Sequence, residues 1–230
     1  MRIAGLQKLT LLDFPGKVAC TVFTAGCNFR CPFCQNASLV LPERFGVPVG
    51  EEELLSFLRR RRGILDGVAI TGGEPMLHAD LPELLAKIRD LGFLVKLDTN
   101  GSYPDRLGHV IDEGLVDYVA MDIKNAPSLY AATAGLHALD ISAVDRSRSL
   151  LLEGRVPYEF RTTVVRGLHT RESLLEAAEW IAGASAWFLQ QYRSSGEILS
   201  ASGLDAFSDA EMRAFADEAS AIVPTQVRGI

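Results

Sequence analysis

The sequence predicts an α/β fold built on a parallel sheet, and three observations lead to it. Apolar runs rich in β-branched and aromatic residues alternate with segments of helical period about six times along the chain, as expected for successive βαβ units. Polar motifs follow directly after these runs, where α/β folds place their sites. With 230 residues, 48% of them hydrophobic and 23% charged, the chain is suited to one domain over residues 1–230.

The strands are predicted from short apolar runs bounded by turn residues. An edge strand is expected at residues 7–14, inside an N-terminal segment, 1–16, that a Pro15-Gly16 turn closes. The later runs predict strands at 18–24, 67–71, 93–97, 118–121, 158–165 and 187–192.

The helices are predicted from apolar spacing and from capping residues. Thr170 is expected to cap one helix, and Ser208 with Glu211 forms a capping box that opens the last one. That last helix, within 205–223, should cover one edge or mouth of the sheet, after a Gly/Ser-rich segment at 194–203. The other helices are expected at 51–62, 81–91, 104–113 and 140–153.

The charge and the termini exclude several function classes. A net charge of −6 argues against general nucleic-acid binding, which needs a basic surface. No run of about eighteen apolar residues occurs and the N-terminus lacks an apolar signal core, so neither a membrane span nor a signal peptide is predicted. We therefore expect a cytoplasmic protein, in which clustered cysteines are metal ligands rather than disulfides.

Three of the four cysteines, Cys27, Cys31 and Cys34, form a C-x3-C-x2-C loop directly after the 18–24 strand. Three thiolates are one too few for a closed zinc site or an ordinary four-iron cluster, so one coordination position is left for a ligand that is not protein. Two plainer interpretations stay open: a zinc loop completed by Cys20 or His78, or three packed cysteines. Cys20, in an apolar run, is most simply a core residue.

Three further motifs follow successive strands, and each suits a cofactor with amino, ribose and carboxylate groups. Glycines let the backbone approach a ligand, Glu74 is suited to accept hydrogen bonds from an ammonium group, Asp98 to hold ribose hydroxyls, and Lys124 to offset a carboxylate. Taken singly, each motif is more often a turn, a cap or a surface charge. The motifs are Gly72-Gly73-Glu74-Pro75, Asp98-Thr99-Asn100-Gly101 and Asp122-Ile123-Lys124.

The cysteine spacing resembles the cluster loop of radical S-adenosylmethionine (radical SAM) enzymes. From Leu12-Asp13-Phe14-Pro15-Gly16 to the last predicted strand, the chain is similar to glycyl-radical-enzyme activating enzymes, above all to the activating proteins of anaerobic ribonucleoside-triphosphate reductases. The resemblance implies an incomplete (β/α)6 TIM-like barrel, with S-adenosylmethionine across the carboxyl ends of the strands.

The resemblance also implies roles for individual residues. The three loop cysteines would bind a [4Fe-4S] cluster, and the aspartates at 98 and 122 would share a monovalent cation. The last strand ends in Tyr192-Arg193 where the pyruvate formate-lyase activator has Tyr-His, and an arginine there is suited to pair with a carboxylate. The implied contacts to S-adenosylmethionine are Phe33, Gln35, Gly72, Gly73, Glu74, Asp98, Asn100, Asp122, Lys124 and Arg193.

The function implied is reductive cleavage of S-adenosylmethionine, followed by hydrogen abstraction from a glycine of a partner enzyme. No cysteines remain for a second cluster, so flavodoxin or ferredoxin would supply the electron. One alternative is a radical enzyme acting on a small molecule, as in the 7-carboxy-7-deazaguanine synthases, for which polar side chains inside the barrel would form the pocket. The other alternative is a noncatalytic zinc-binding module. For the small-molecule alternative, the side chains that would either line such a pocket or simply fill the barrel interior are Arg161, Thr162, Gln190 and Gln191.

Overall fold

A computed structural model describes residues 1–194, 198–200 and 202–230, and in it eight strands form one sheet. Residues 195–197 and 201, part of the predicted Gly/Ser-rich segment, lie outside the described residues. The strands are β1 (Ile3–Thr10), β2 (Ala19–Thr24), β3 (Gly67–Gly72), β4 (Leu94–Thr99), β5 (Tyr118–Asp122), β6 (Tyr158–Val164), β7 (Trp187–Gln191) and β8 (Thr225–Arg228).

The strands lie side by side in their order along the chain, from β1 to β8. β1 is antiparallel to β2, and every later pair is parallel. The sheet does not close, because β1 and β8 remain at its two ends. This arrangement confirms the predicted α/β fold and its partial TIM-like barrel, with one more parallel strand than the six predicted.

The longer helices bury apolar side chains in the core beside the sheet. In one of them, Leu81–Asp90, leucine and isoleucine side chains recur at helical spacing and are all buried. The described residues also include three short 3-10 helices, which follow α1, β3 and β5 along the chain. They are Pro42–Arg44, Pro75–Leu77 and Pro127–Leu129. The α-helices are α1 (Ala37–Val40), α2 (Glu51–Arg59), α3 (Leu81–Asp90), α4 (Pro104–Asp112), α5 (Tyr130–Thr133), α6 (Ile141–Leu152), α7 (Arg171–Trp180) and α8 (Asp209–Ala219).

Both predicted helix starts are confirmed by side-chain hydrogen bonds. At the start of α7, the Thr170 hydroxyl accepts a hydrogen bond from the Ser173 N–H. The Ser173 hydroxyl in turn accepts a hydrogen bond from the Thr170 N–H. Ser208 and Glu211 form the predicted capping box of α8. Each box satisfies N–H groups that the first helical turn leaves without partners.

Two strand predictions differ from the structure. The edge strand predicted at 7–14 is β1, Ile3–Thr10, which ends early because the Thr10 hydroxyl accepts the N–H groups of Leu12 and Asp13 and turns the chain away. β8 was not predicted at all, since its four residues, Thr225–Arg228, show no apolar run. Strand periodicity is weak evidence for an element this short.

Side chains alternate between the two faces of each strand. Thr21 on β2 and Arg161 on β6 face the concave side and line a cavity there. Their neighbours Cys20 and Phe160 are fully buried in the hydrophobic core. The core therefore lies mainly between sheet and helices, while the concave side carries polar residues.

Among the described residues, no helix is long and apolar enough to span a membrane.

Candidate functional site

The concave side of the sheet holds a cavity of about 420 Å³. It lies where the cysteine loop and the ends of β3, β4 and β5 meet, as expected for parallel strands. The structure brings together here all but two of the predicted site residues, the exceptions being Glu74 and Arg193. Those lining the cavity are Cys27, Cys31, Cys34, Phe33, Gln35, Gly72, Gly73, Asp98, Asn100, Asp122 and Lys124.

The cysteine loop leaves β2 and carries three free thiols. The backbone N–H of Phe29 donates to Cys27 Sγ at 3.4 Å, a contact that favours the thiolate form of this sulfur. Burial raises the pKa of Cys27 to about 12, with a further contribution from Glu74, and burial raises that of Cys31 to about 11. Without a metal these two thiols are therefore neutral, and metal binding must release their protons.

The two glycines after β3 are required by packing against the cysteine loop. Gly72 has φ of +116°, and a side chain there would meet the backbone of Thr24. A Cβ on Gly73 would lie 1.9 Å from the carbonyl oxygen of Gly26, which accepts the Glu74 N–H at 2.8 Å. These glycines line the cavity because the β3 turn is in direct backbone contact with the loop.

The Glu74 side chain does not line the cavity, and the ligand contact expected for it stays a prediction. Its carboxylate is fully buried. Oε1 accepts from the Met76 N–H at 3.0 Å and the Thr99 hydroxyl at 2.7 Å, and Oε2 accepts from the Asn100 N–H at 2.6 Å. Burial outweighs these bonds and raises the pKa of Glu74 to about 7. Glu74 therefore joins the β3 turn to the β4 turn.

Asn100 connects the β4 turn to the cysteine loop. Its side-chain nitrogen donates to Asn28 Oδ1 at 2.9 Å and lies 3.9 Å from Cys27 Sγ. Asn28 in turn donates to the Ser102 hydroxyl at 2.9 Å, and Ser102 donates to Asn100 Oδ1. Sequence reasoning missed Asn28 and Ser102, although Asn28 follows the first loop cysteine directly.

Asp98 and Asp122, at the ends of β4 and β5, are bridged by an arginine. Arg161 donates to Asp98 Oδ2 at 3.0 Å and to Asp122 Oδ1 at 3.0–3.1 Å. Lys96 pairs with Asp98 Oδ1, and Lys124 with Asp122 Oδ2 at 3.0 Å. All four carboxylate oxygens thus have a cationic partner from the chain itself.

These ion pairs keep both acids charged. Burial opposes ionisation, but Arg161 and Lys124 outweigh it and lower the pKa of Asp122 to about 2. Arg161 and Lys96 likewise hold the pKa of Asp98 below its ordinary value despite burial. The monovalent cation expected between the two aspartates does not fit this arrangement, because a guanidinium already lies there.

The Arg193 side chain does not line the cavity, and the cofactor contact expected for it stays a prediction. Its side chain donates to the Gly229 carbonyl at 2.6 Å and lines a separate cavity near the C-terminus. The chain leaves β7 at Gln191, and only the carbonyl of Arg193 faces the cysteine loop, accepting from Gln35 Nε2 at 2.7 Å. A different arginine, Arg161 on β6, lines the cavity.

A comparison with protein families agrees with this geometry. The profile of the Radical SAM superfamily matches residues 21–181, which include the cysteine loop and the turns after β3, β4 and β5. The chain belongs to the radical SAM superfamily. Its members use a [4Fe-4S] cluster and S-adenosylmethionine, which confirms both cofactors implied by the sequence.

Two curated relatives point to different reactions within the superfamily. The chain is 29% identical over 197 residues to a protein of Methanocaldococcus jannaschii that carries the provisional name glycyl-radical enzyme activating enzyme, covering 83% of this chain and 79% of the relative. It is 34% identical over 130 residues to the 7-carboxy-7-deazaguanine synthase of Methanopyrus kandleri, covering 48% of this chain and 51% of that protein.

Solved structures share the fold at low sequence identity. Streptococcus suis SuiB bound to S-adenosylmethionine superposes with a TM-score of 0.70 at 14% identity, over 90% of this chain and 49% of SuiB. A domain of the pyruvate formate-lyase activating enzyme from Bacteroides vulgatus gives a TM-score of 0.56 at 16% identity, over 71% of this chain and 99% of that domain. These similarities support the partial barrel.

The residues around the cavity fit the two cofactors of this radical SAM protein. Among the described residues, no three histidine, cysteine or acidic side chains are grouped so as to hold one metal ion. In a four-iron cluster each thiolate binds a different iron, so its three sulfur ligands lie farther apart than the ligands of a single zinc. The three thiols line the wall of one cavity, where each could bind a different iron of such a cluster.

The two candidates for a fourth zinc ligand are both engaged elsewhere. Cys20 faces the helices, on the opposite side of β2 from Thr21, which lines the cavity. His78 Nε2 hydrogen-bonds the Ala25 carbonyl at 2.8 Å. Neither residue completes the set of three loop cysteines, which argues against the zinc-module alternative.

Proposed function

We propose that this chain is a glycyl-radical-enzyme activating enzyme, of the kind that serves anaerobic ribonucleoside-triphosphate reductases. The observation that carries the proposal is the relative of Methanocaldococcus jannaschii, because the alignment spans about four fifths of both chains, 83% of this one and 79% of the relative. The similarity therefore extends well beyond the cysteine loop.

In this proposal the loop cysteines hold the cluster, and the cavity holds S-adenosylmethionine. When bound, these cofactors supply a 5'-deoxyadenosyl radical that abstracts a hydrogen atom. Cys27, Cys31 and Cys34 bind iron, while Phe33 and Gln35 lie at the adenine. Gly72, Gly73, Asp98, Asn100, Asp122 and Lys124 contact the rest of S-adenosylmethionine.

The chain's own contribution is to orient the cofactor and to exclude water. No general acid or base is needed, since hydrogen-atom transfer depends on close positioning. Asp122 and Lys124 present fixed, opposite charges at the cavity wall, and Glu74 holds the turns that frame it. A cofactor bound there meets groups that need no rearrangement.

The shape of the cavity supports a protein substrate. Its volume of about 420 Å³ is near the low end of the ~300–1,000 Å³ typical of pockets for one small ligand. S-adenosylmethionine would take up most of this space. In this proposal the hydrogen donor reaches the cavity from outside, as an extended peptide loop can do.

An electron donor is also part of the proposal. The chain has four cysteines, and Cys20, the one outside the loop, is buried in the core. No second iron-sulfur cluster can be built from them. We propose flavodoxin or ferredoxin as the reductant.

A second candidate is a reaction on a small heterocycle, as in the 7-carboxy-7-deazaguanine synthases. The observation in its favour is the 34% identity over 130 residues to one such enzyme. The cavity also has polar side chains beyond the proposed cofactor contacts, among them Thr163 and Gln190. The alignment covers only about half of each chain, 48% and 51%, so the activating enzyme is preferred.

The test is anaerobic transfer of a radical to a partner. The reconstituted protein is reduced, given S-adenosylmethionine and mixed with an anaerobic ribonucleoside-triphosphate reductase from the same genome. The proposal predicts a glycyl radical in the electron paramagnetic resonance spectrum and none when the radical glycine of the reductase is replaced by alanine. Cleavage of S-adenosylmethionine with no radical on the reductase, and turnover of a deazapurine precursor instead, would favour the second candidate.

A further inference from the structure

Arg161 lines the cavity but belongs neither to the cysteine motif nor to the strand-end motifs. It lies on β6 directly opposite Asp122 in the parallel register of β5 and β6. Its guanidinium reaches across to Asp98 on β4, so one side chain spans three neighbouring strands. Its side chain is only 14% exposed.

The charges around this guanidinium leave no carboxylate oxygen without a cationic partner. Arg161 binds one oxygen of each aspartate, and Lys96 and Lys124 bind the other two. Three cations thus face two carboxylates, which makes the group positive overall. A further cation placed here would be repelled at short range and would have to displace one of the three.

Arginine is well suited to this position. Its planar guanidinium is always charged and presents several N–H groups at once, so it can bind two carboxylates in fixed directions. A monovalent ion, by contrast, can dissociate and would have to bind again from solution each time it left the site.

We propose that Arg161 is a built-in counter-ion that positions Asp98 and Asp122, and that S-adenosylmethionine binding by this chain is independent of monovalent cations. This proposal concerns S-adenosylmethionine, a cofactor of the radical SAM superfamily, and does not depend on which partner enzyme receives the radical. Arg161 is a positioning residue, acting through the two aspartates that line the cavity.

The test compares potassium, sodium and choline chloride at one ionic strength of about 0.1 M, where general screening is equal. S-adenosylmethionine affinity is measured by calorimetry on the anaerobically reconstituted protein, and the melting temperature is measured on the metal-free protein. Neither should change between the three salts, with affinities agreeing within about twofold. A saturable requirement of the wild-type protein for potassium or sodium in either measurement would overturn the proposal.

Arg161→Met is the informative variant, because it removes the guanidinium but keeps both lysine partners. We expect its affinity for S-adenosylmethionine to fall by about tenfold or more in choline, as for loss of a charged hydrogen bond, and to recover in potassium or sodium. Arg161→Lys, which keeps the charge, should recover part of the affinity in choline alone.

Arg228→Met is the matched control, since it breaks a second arginine–carboxylate pair of the same face at Glu159. Its affinity should show no preference among the three salts. The proposal would be contradicted if Arg161→Met lost the same affinity for S-adenosylmethionine in all three salts. It would also be contradicted if Arg228→Met bound S-adenosylmethionine more tightly in potassium or sodium than in choline. The wild-type salt series remains decisive if the Arg161 variants do not fold.

Discussion

Two groups of buried ions occupy the concave side of the sheet, and only one of them borders the cavity. The first, Arg161 with Asp98 and Asp122, lines the cavity near the carboxyl ends of the strands. The second joins Glu159 to Arg228, two residues earlier along β6, and does not line that cavity. A group of buried ions therefore does not identify the site by itself. It does so here only where its side chains also line the cavity.

The second group holds the end of the sheet together. Arg228 on β8 donates two bonds of 2.8 Å to Glu159, and the Tyr118 hydroxyl adds one of 3.0 Å. The guanidinium also lies 3.3 Å from the ring centre of Phe188 on β7. This group links β5, β6 and β8, with its partners facing each other rather than a ligand.

The largest expected effect is on stability, from Arg228→Met. Glu159 is 1% exposed, so the variant leaves a buried carboxylate without its directly paired cation. We expect a loss of about 3–4 kcal/mol, near the low end for a broken buried pair because Arg228 is partly exposed. Urea unfolding measures the loss.

The same variant should keep its affinity for S-adenosylmethionine within about twofold, because the broken pair does not border the cavity. A loss of affinity as large as that of Arg161→Met would remove the distinction between the two groups of ions.

The next effect concerns pH and Glu74. Its pKa of about 7 in the folded protein exceeds the ordinary value of 4.5, so the folded state holds this proton more tightly than the unfolded chain does. The contribution to stability is complete below pH 4.5 and is lost as pH rises to about 7, amounting to some ~3 kcal/mol.

Glu74→Gln is neutral at every pH and isolates this effect. The free energy of unfolding of the wild type minus that of the variant should fall between pH 4.5 and 7, as measured by urea unfolding of the metal-free proteins. A difference that rises over this range would mean that the hydrogen bonds of Glu74 outweigh its burial.

The smallest effect is expected for Cys20→Ala. Cys20 is fully buried on the helix side of β2, so its loss should cost about 1 kcal/mol for a small cavity. Iron content per chain should stay at the wild-type value after reconstitution. Loss of iron in this variant would revive the metal site completed by a fourth cysteine.

The sequence predicted those features that depend on local pattern. The cysteine loop, the turns after β3, β4 and β5, and the caps at Thr170 and Ser208 can each be recognised within a few residues of chain. Their meeting at one cavity followed from the rule that parallel strands end on the same side of a sheet.

The features that local pattern does not reveal depend on contacts between distant strands, and Arg161 was named from the sequence only as a pocket or filler residue, with no partner assigned. Arg161 lies beside Asp122 because of the register between β5 and β6, which connects positions 39 residues apart. Glu74 fits a ligand contact by its motif, yet its carboxylate turns inward to the β4 turn. Arg193 follows β7 in sequence, but the chain has already turned toward Gly229.

We propose that the three loop cysteines hold a cluster that supports radical cleavage of S-adenosylmethionine. The most direct measurement is anaerobic: reconstitution with iron and sulfide, reduction with dithionite, and assay of 5'-deoxyadenosine and methionine, with Cys31→Ala and Cys20→Ala side by side. We predict products from the wild type and Cys20→Ala and none from Cys31→Ala. Absence of cleavage by a wild-type protein whose cluster is present and reduced would contradict the account.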